Sequence, residues 1–146
     1  MKEGPDTPAE LKGRALRHLV RREHSRAELA RKLAPHAESP EVLQGVLDWL
    51  ESTKRLSNQR FAEQRAHVLS RKYGAAHIRH DLRARGVDAA LVDALPIEGE
   101  MERAKAILAR KYREPASTRE EKAKRARFLQ SRGFSYEVIR SVLKVE

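Results

Sequence analysis

Leu82-Arg-Ala-Arg-Gly86-Val87-Asp88-Ala-Ala-Leu91-Val92 lines up with Leu129-Gln-Ser-Arg-Gly133-Phe134-Ser135-Tyr-Glu-Val138-Ile139 at an offset of 47 residues. Each copy reads as a helix, a glycine stop, an apolar residue, a cap and a second helix. With Gly86 at C′, Leu82 is C3 and Val87 is C″, the two positions that touch in a Schellman stop. Gly133, Leu129 and Phe134 repeat that relation. Glycine enters the left-handed region without a Cβ clash. Asp88 and Ser135 then fall at the N-caps of the following helices. Val87 with Val92, and Phe134 with Ile139, have the N′–N4 spacing of a hydrophobic staple. One apolar residue therefore closes one helix and opens the next. A unit repeated at this period marks a stacked helical array, which commonly offers an extended surface to a partner.

A divergent third copy precedes these two. Leu29 and Leu33 lie 49 residues before Ile78 and Leu82. Here Pro35-His-Ala-Glu38 replaces the glycine turn, and Ser39-Pro40 opens the next helix with proline at N1, where its missing N–H costs nothing. Working outward, the apolar stripes predict nine helices. The first spans about Ala9 to Arg22 with Leu11, Ala15, Leu19 and Val20 on one face. The fourth starts after Ser57 and buries Phe61, Val68 and Leu69; the seventh carries Met101, Ala104, Ile107 and Leu108. Ser25-Arg-Ala-Glu28 and Thr118-Arg-Glu-Glu121 match capping boxes. Residues 1–8, with two prolines and no periodicity, read as a disordered N-terminus. The helices group as three-helix repeats over 9–56, 57–98 and 99–146. The fold class is all-α: three tandem three-helix repeats forming an elongated, curved helical array.

Composition narrows the function. The chain has 146 residues, a net charge of +10 and no cysteine, which removes disulfides and thiolate chemistry. No apolar run reaches membrane-spanning length and no signal-peptide core precedes the first helix, so a soluble cytoplasmic monomer is expected. The charge is uneven. Residues 101–146 carry 13 Lys/Arg against 6 Asp/Glu, whereas residues 57–100 carry 7 against 6. The positive field at the C-terminal end suits nucleic acid, an acidic protein surface, or both.

No catalytic constellation stands out: there is no phosphate loop, nucleophile elbow or zinc-protease helix, and no cofactor is expected. His77, His80 and Asp81 share part of a helix face but lack a further ligand, so they read as exposed polar residues. The glycine turns resemble a DNA-binding helix-turn-helix. Residues 89–95, however, read Ala-Ala-Leu-Val-Asp-Ala-Leu and hold no base-reading Arg, Asn or Gln. Aromatics are too scarce for a base-stacking platform, and Trp49 lies on an apolar stripe as a core residue. The candidate partner contacts are basic: Arg71, Lys72, Arg79, Arg83, Lys122, Lys124, Arg127, Arg132 and Arg140. Lys124 and Arg127 fall on the face of the eighth helix opposite Leu129, and Arg79 and Arg83 form an i,i+4 pair. Nearby Asp81, Glu120 and Glu121 support the plainer reading of solvated helix faces.

Four stretches together carry a family resemblance: Arg22-Glu23-His24-Ser25 through Leu33; Leu56-Ser57-Asn58 through Phe61-Ala62; Lys72-Tyr73-Gly74 through Gly86-Val87; and Lys124 through Arg127-Phe128-Leu129-Gln-Ser-Arg132-Gly133-Phe134-Ser135. The chain resembles RecX, the bacterial regulator of the RecA recombinase. Asn58 stands where an acidic residue is common in that family. The resemblance implies three tandem three-helix repeats and a mainly negative, non-enzymatic regulator in DNA repair, recombination and the SOS response. Such a regulator binds the groove of the RecA–DNA filament and inhibits recombinase, ATPase and co-protease activities. Single- and double-stranded DNA are weaker partners on this reading. The competing readings are a general basic helical nucleic-acid-binding protein and a structural adaptor.

Overall fold

The computed structural model describes residues 3–144. Among them are nine α-helices, one short 3₁₀ turn and no strand. The first repeat holds α1 (Pro8–Arg21), α2 (Arg26–Leu33), the 3₁₀ turn (Ala34–His36) and α3 (Pro40–Ser52). The second holds α4 (Asn58–Leu69), α5 (Ala75–Ala84) and α6 (Ala89–Ala94). The third holds α7 (Glu100–Lys111), α8 (Arg119–Ser131) and α9 (Tyr136–Leu143). The fold is thus all-α, built of tandem three-helix repeats. Leu33, Leu82 and Leu129, equivalent in the three copies, are each fully buried.

The repeat turn forms in full in the third repeat. In the second, the glycine conformation and one of the two stop bonds form, and among the described residues the Asp88 side chain makes no capping bond to α6. Gly133 has φ of 90° and Gly86 of 86°. Phe134 N–H donates to the Leu129 carbonyl at 3.2 Å and Gly133 N–H to Gln130 at 3.0 Å, the two bonds of a Schellman stop. The Ser135 hydroxyl accepts from Val138 N–H and caps α9. Gly86 N–H donates to the Arg83 carbonyl at 3.0 Å. Ser25 caps α2 with its full reciprocal box to Glu28, and Ser39 caps α3 with Pro40 at the first position. Thr118 caps α8, but the Glu121 carboxylate turns to Ser117 N–H at 2.8 Å rather than closing the box.

Each repeat turn is seated on the second helix of the repeat before it. The Ser25 hydroxyl donates to the Arg85 carbonyl at 2.7 Å. Gly74 N–H donates to the Arg132 carbonyl, also at 2.7 Å. Arg85 and Arg132 are each the residue before the repeat glycine, and Ser25 and Gly74 each immediately precede the second helix or its first residue, so one join is made twice. Arg85 reinforces the first join with a 2.8 Å ion pair to Glu28, a carboxylate only 8% exposed. Burial raises the Glu28 pKa, but Arg22, the Ser25 N–H and Arg85 outweigh it and hold the carboxyl below its usual range. Asn58 caps the backbone here too: its Oδ1 accepts from Arg26 N–H at 2.8 Å.

The chain divides into two compact units rather than three. One comprises the chain up to Gln64 together with Arg83–Val92; the other comprises Arg65–Leu82 and the chain from Asp93 onward. The first is built on Leu11, Ala15, Leu29, Leu33, Val46, Leu47 and Leu50. The second is built on Ala104, Ile107, Leu108, Leu129, Phe134, Ile139 and Leu143. The middle repeat is shared between them. Its third helix, α6, has only six residues and one buried side chain, Val92, which is little surface with which to hold a core of its own.

Four sequence expectations need correction. The reading of residues 1–8 as disordered does not hold for the described part, Met1 and Lys2 lying outside it. Asp6 is 3% exposed, pairs with Arg14 at 2.8 Å and donates its N–H to the His36 carbonyl at 2.8 Å. Thr7 and Glu10 form a reciprocal capping box that starts α1 at Pro8. Val20, expected on the buried face of α1, is 86% exposed, because it lies about 100° round the helix from Leu19. Val68 on α4 and Met101 on α7 are likewise exposed.

Candidate partner-binding surface

The second unit holds most of the predicted basic contacts, and α8 organises them. Its buried side is anchored by Leu129, with Ala126 and Phe128 half-buried beside it. Because 3.6 residues make a turn, the intervening basic residues emerge on three sides.

One cleft, of about 260 Å³, runs between α7 and α8. Lys72, Arg110, Lys111 and Arg132 surround an apolar floor of Ile107 and Phe128. Cations and rings alternate along it. The Lys111 ammonium lies 4.2 Å from the Phe128 ring centre, and the Arg132 guanidinium lies 5.0 Å from Phe128 and 5.4 Å from Tyr73. Arg125 covers Tyr112 at 4.2 Å, and Tyr112 meets Phe128 edge-on at 6.4 Å. A cation over a ring face is attracted by the ring quadrupole, which fixes these long side chains in place. Arg132 is therefore half-buried and partly structural; it also donates to the Lys72 carbonyl at 3.5 Å.

A second cleft, of about 240 Å³, lies between α8 and α9 and is lined by Arg127, Arg140, Gln130 and Tyr136 above Phe134 and Ile139. A third, at the start of α8, brings Lys122 together with Arg119 and Lys144. Lys124 is exposed between them and lines none of the three.

The remaining candidates are dispersed. Arg71 is exposed after α4, where its carbonyl accepts from Arg110. Arg79 is half-buried and donates to the Leu95 carbonyl at 3.3 Å, which ties α5 to the end of α6. Arg83 is exposed on the last turn of α5, in the first unit. The Asp81 carboxylate pairs with Arg65 at 3.0 Å, and His77 stacks on Tyr73 at 3.8 Å, so both have structural partners. No group of three His, Cys, Asp or Glu residues able to hold a metal occurs among the described residues.

Sequence reading missed Arg110, Lys111, Arg119 and Lys144, which complete the basic clefts, and Arg103, which lies beneath them. Arg103 donates to the carbonyls of Tyr73 at 2.6 Å, Ser70 at 3.2 Å and Glu98 at 3.0 Å. Burial lowers its pKa. It ties α7 to the α4–α5 turn through backbone carbonyls, with the nearby Glu100 charge partly offsetting the effect of burial, a role that no local spacing announces.

Three models of known domains match in tandem: the first three-helix domain of RecX over residues 12–50, the second over 57–95 and the third over 98–143. The chain belongs to the RecX family. The regulatory protein RecX of Ralstonia nicotianae is 46% identical over 96% of this chain and 90% of its own length. That of Herbaspirillum seropedicae is 42% identical over 96% of this chain and 93% of its own. The crystal structure of RecX from Lactobacillus salivarius superposes with a TM-score of 0.82 at 21% identity, covering 94% of both chains. In RecX terms, all three basic clefts belong to the third three-helix domain and the turn before α5. No helix among the described residues is long and apolar enough to cross a membrane.

Proposed function

We propose that this RecX-family chain is a mainly negative regulator of the RecA recombinase that binds in the groove of the RecA–DNA filament. The observation that carries the reading is the concentration of basic side chains on one helix, α8, within a chain matched by all three RecX domains in order. Occupying the groove would exclude incoming duplex DNA and protein substrates, and would bear on the subunit contacts that ATP hydrolysis controls. Recombination, ATPase and co-protease activities would fall together. The action is by occupancy, without catalysis, by a cytoplasmic monomer whose contacts with bare single- and double-stranded DNA are weaker.

The test is binding to RecA filaments on single-stranded DNA against binding to the same DNA alone, at one salt concentration, with filament ATPase followed in parallel. The reading requires tighter binding to the filament and a lowered ATPase. The second reading, a general nucleic-acid binder, is favoured by the Lys72–Arg110–Lys111–Arg132 cleft, whose four cations suit phosphates. Equal affinity for filament and bare DNA would select it.

A further inference from the structure

The α8–α9 cleft differs from its counterpart one repeat earlier in a way that the fold does not require. At the 47-residue offset, Tyr136 replaces Ala89 and Arg140 replaces Asp93, while Phe134 replaces the smaller Val87. The floor serves the core: Phe134 is 4% and Ile139 7% exposed. The rim does not. Tyr136 is 69% exposed, a large aromatic surface left in water beside an apolar recess. Arg140 stands 5.7 Å from its ring. Arg127 faces it from α8. No carboxylate lines the cleft, and neither arginine makes an ion pair among the described residues.

An apolar floor, an exposed tyrosine and two uncompensated guanidinium groups define a complementary ligand. The recess excludes water best when filled by one aliphatic or aromatic side chain. Tyrosine and arginine are the residues that most often anchor protein interfaces. The guanidinium forks favour carboxylates on either side of the inserted residue. We propose that the α8–α9 cleft is a docking seat for a partner protein segment that inserts one apolar side chain flanked by acidic residues. A nucleic-acid strand would suit the phosphate charges but would leave the aliphatic Ile139 side of the recess unused. The seat's chemistry goes beyond the regulator reading and stands whether or not the partner is the recombinase filament.

The test uses the full chain, isotope-labelled for NMR. It is titrated with five-residue peptides of four acidic residues around a central leucine, isoleucine, methionine, phenylalanine, alanine or lysine. At least one apolar peptide should bind saturably, with shifts centred on Gln130, Tyr136 and Ile139, and about tenfold more tightly than the alanine peptide, as burial of one apolar side chain predicts. Tyr136→Ser and Arg127→Glu, both at exposed positions, should each weaken that binding severalfold while leaving the circular dichroism spectrum and melting temperature unchanged. Three results would each overturn the proposal: equal binding of all six peptides, shifts centred on Lys111 and Arg132 instead, or no saturable shift up to millimolar peptide. Displacement of the apolar peptide by an oligothymidylate that gives the same cleft shifts would assign the cleft to nucleic acid and overturn it as well.

Discussion

Gly74 and Gly133 meet backbone to backbone, and both are irreplaceable for different reasons. A Cβ on Gly74 would lie 2.5 Å from the Gly133 carbonyl oxygen and 2.7 Å from Phe134 N, neither of which can move aside. Gly133 adds a φ of 90°, and its Cβ would lie 2.5 Å from that of His77. Left-handed strain in a β-branched residue alone costs about 1–3 kcal/mol, and the clash adds to it. Gly133→Val and Gly74→Ala should therefore both lower the melting temperature followed by far-ultraviolet circular dichroism. A Gly74→Ala variant that melts like the parent would show that the join is not close-packed.

His24 is a second residue whose surroundings matter more than its type. It is 1% exposed; its Nδ1 lies 3.0 Å from the Arg22 carbonyl and its Nε2 2.9 Å from the Lys32 ammonium. This pairing fits a neutral ring that donates from Nδ1 and accepts at Nε2. Burial lowers its pKa; the Arg22 carbonyl and Glu28 oppose this, and the Arg22 and Lys32 charges add to it. Burial and nearby cations also lower that of His18, whose ring is 5.8 Å away. Because the folded pKa is depressed, the native state binds fewer protons than the unfolded chain. The stability is fully present above the unfolded value of about 6.5 and is lost as pH falls through the lower folded value. Urea midpoints read from Trp49 fluorescence should drop as the pH is lowered from 7 through this window, and His24→Gln should flatten the decline.

At the scale of elements, caps decide where helices begin. Thr7 starts α1 through a reciprocal box with Glu10, although the segment before it is polar and contains Pro5. Thr7→Ala should cost about 1 kcal/mol, read as a shift in the urea midpoint. No shift would mean that the Asp6–Arg14 pair alone holds this end. Trp49 is a suitable reporter because it packs against the first unit's core while Lys12 and Arg55 lie over its ring at 4.4 and 5.0 Å. Helix α8 has 13 residues against 10 in α5 and 8 in α2; aligned at the repeat glycine, its three added residues beyond α5 are Arg119, Glu120 and Glu121. The added turn thus supplies Arg119 to the cleft at the start of α8.

At the scale of the molecule, charge governs encounter. Most of the net +10 resides in the last 46 residues, and Lys124 and Arg127 project from α8 without carrying core contacts. Reversing both to glutamate should weaken filament association while the protein stays folded. Binding by the parent should also fall between low and physiological salt, where the Debye length shortens to about 8 Å. Anisotropy titrations on filament and bare DNA would measure both effects. Unchanged binding by the double variant would move recognition off this face of α8, leaving the Lys72–Arg110–Lys111–Arg132 cleft as the basic surface to examine.

The helices, their stops and the tandem repeat were legible in the sequence because each is set by residues within a few positions of one another. Gly133 with Leu129 and Phe134, Ser25 with Glu28, and Ser39 with Pro40 act locally, and the structure forms each of them. The basic character of the C-terminal third was legible for the same reason, since charge is a sum over residues. The sequence did not reveal which cations share a cleft. Lys72, Lys111 and Arg132 meet only because the Gly133 turn seats on the start of α5, and a contact across some 60 residues leaves no local period. Burial at the edges of stripes was also hidden: Val20, Val68 and Met101 fit the apolar pattern, yet no neighbouring helix covers them. The division into two units across the middle repeat is tertiary too. It depends on how much apolar surface each short helix finds to bury, and that is decided by the partners the chain brings to it.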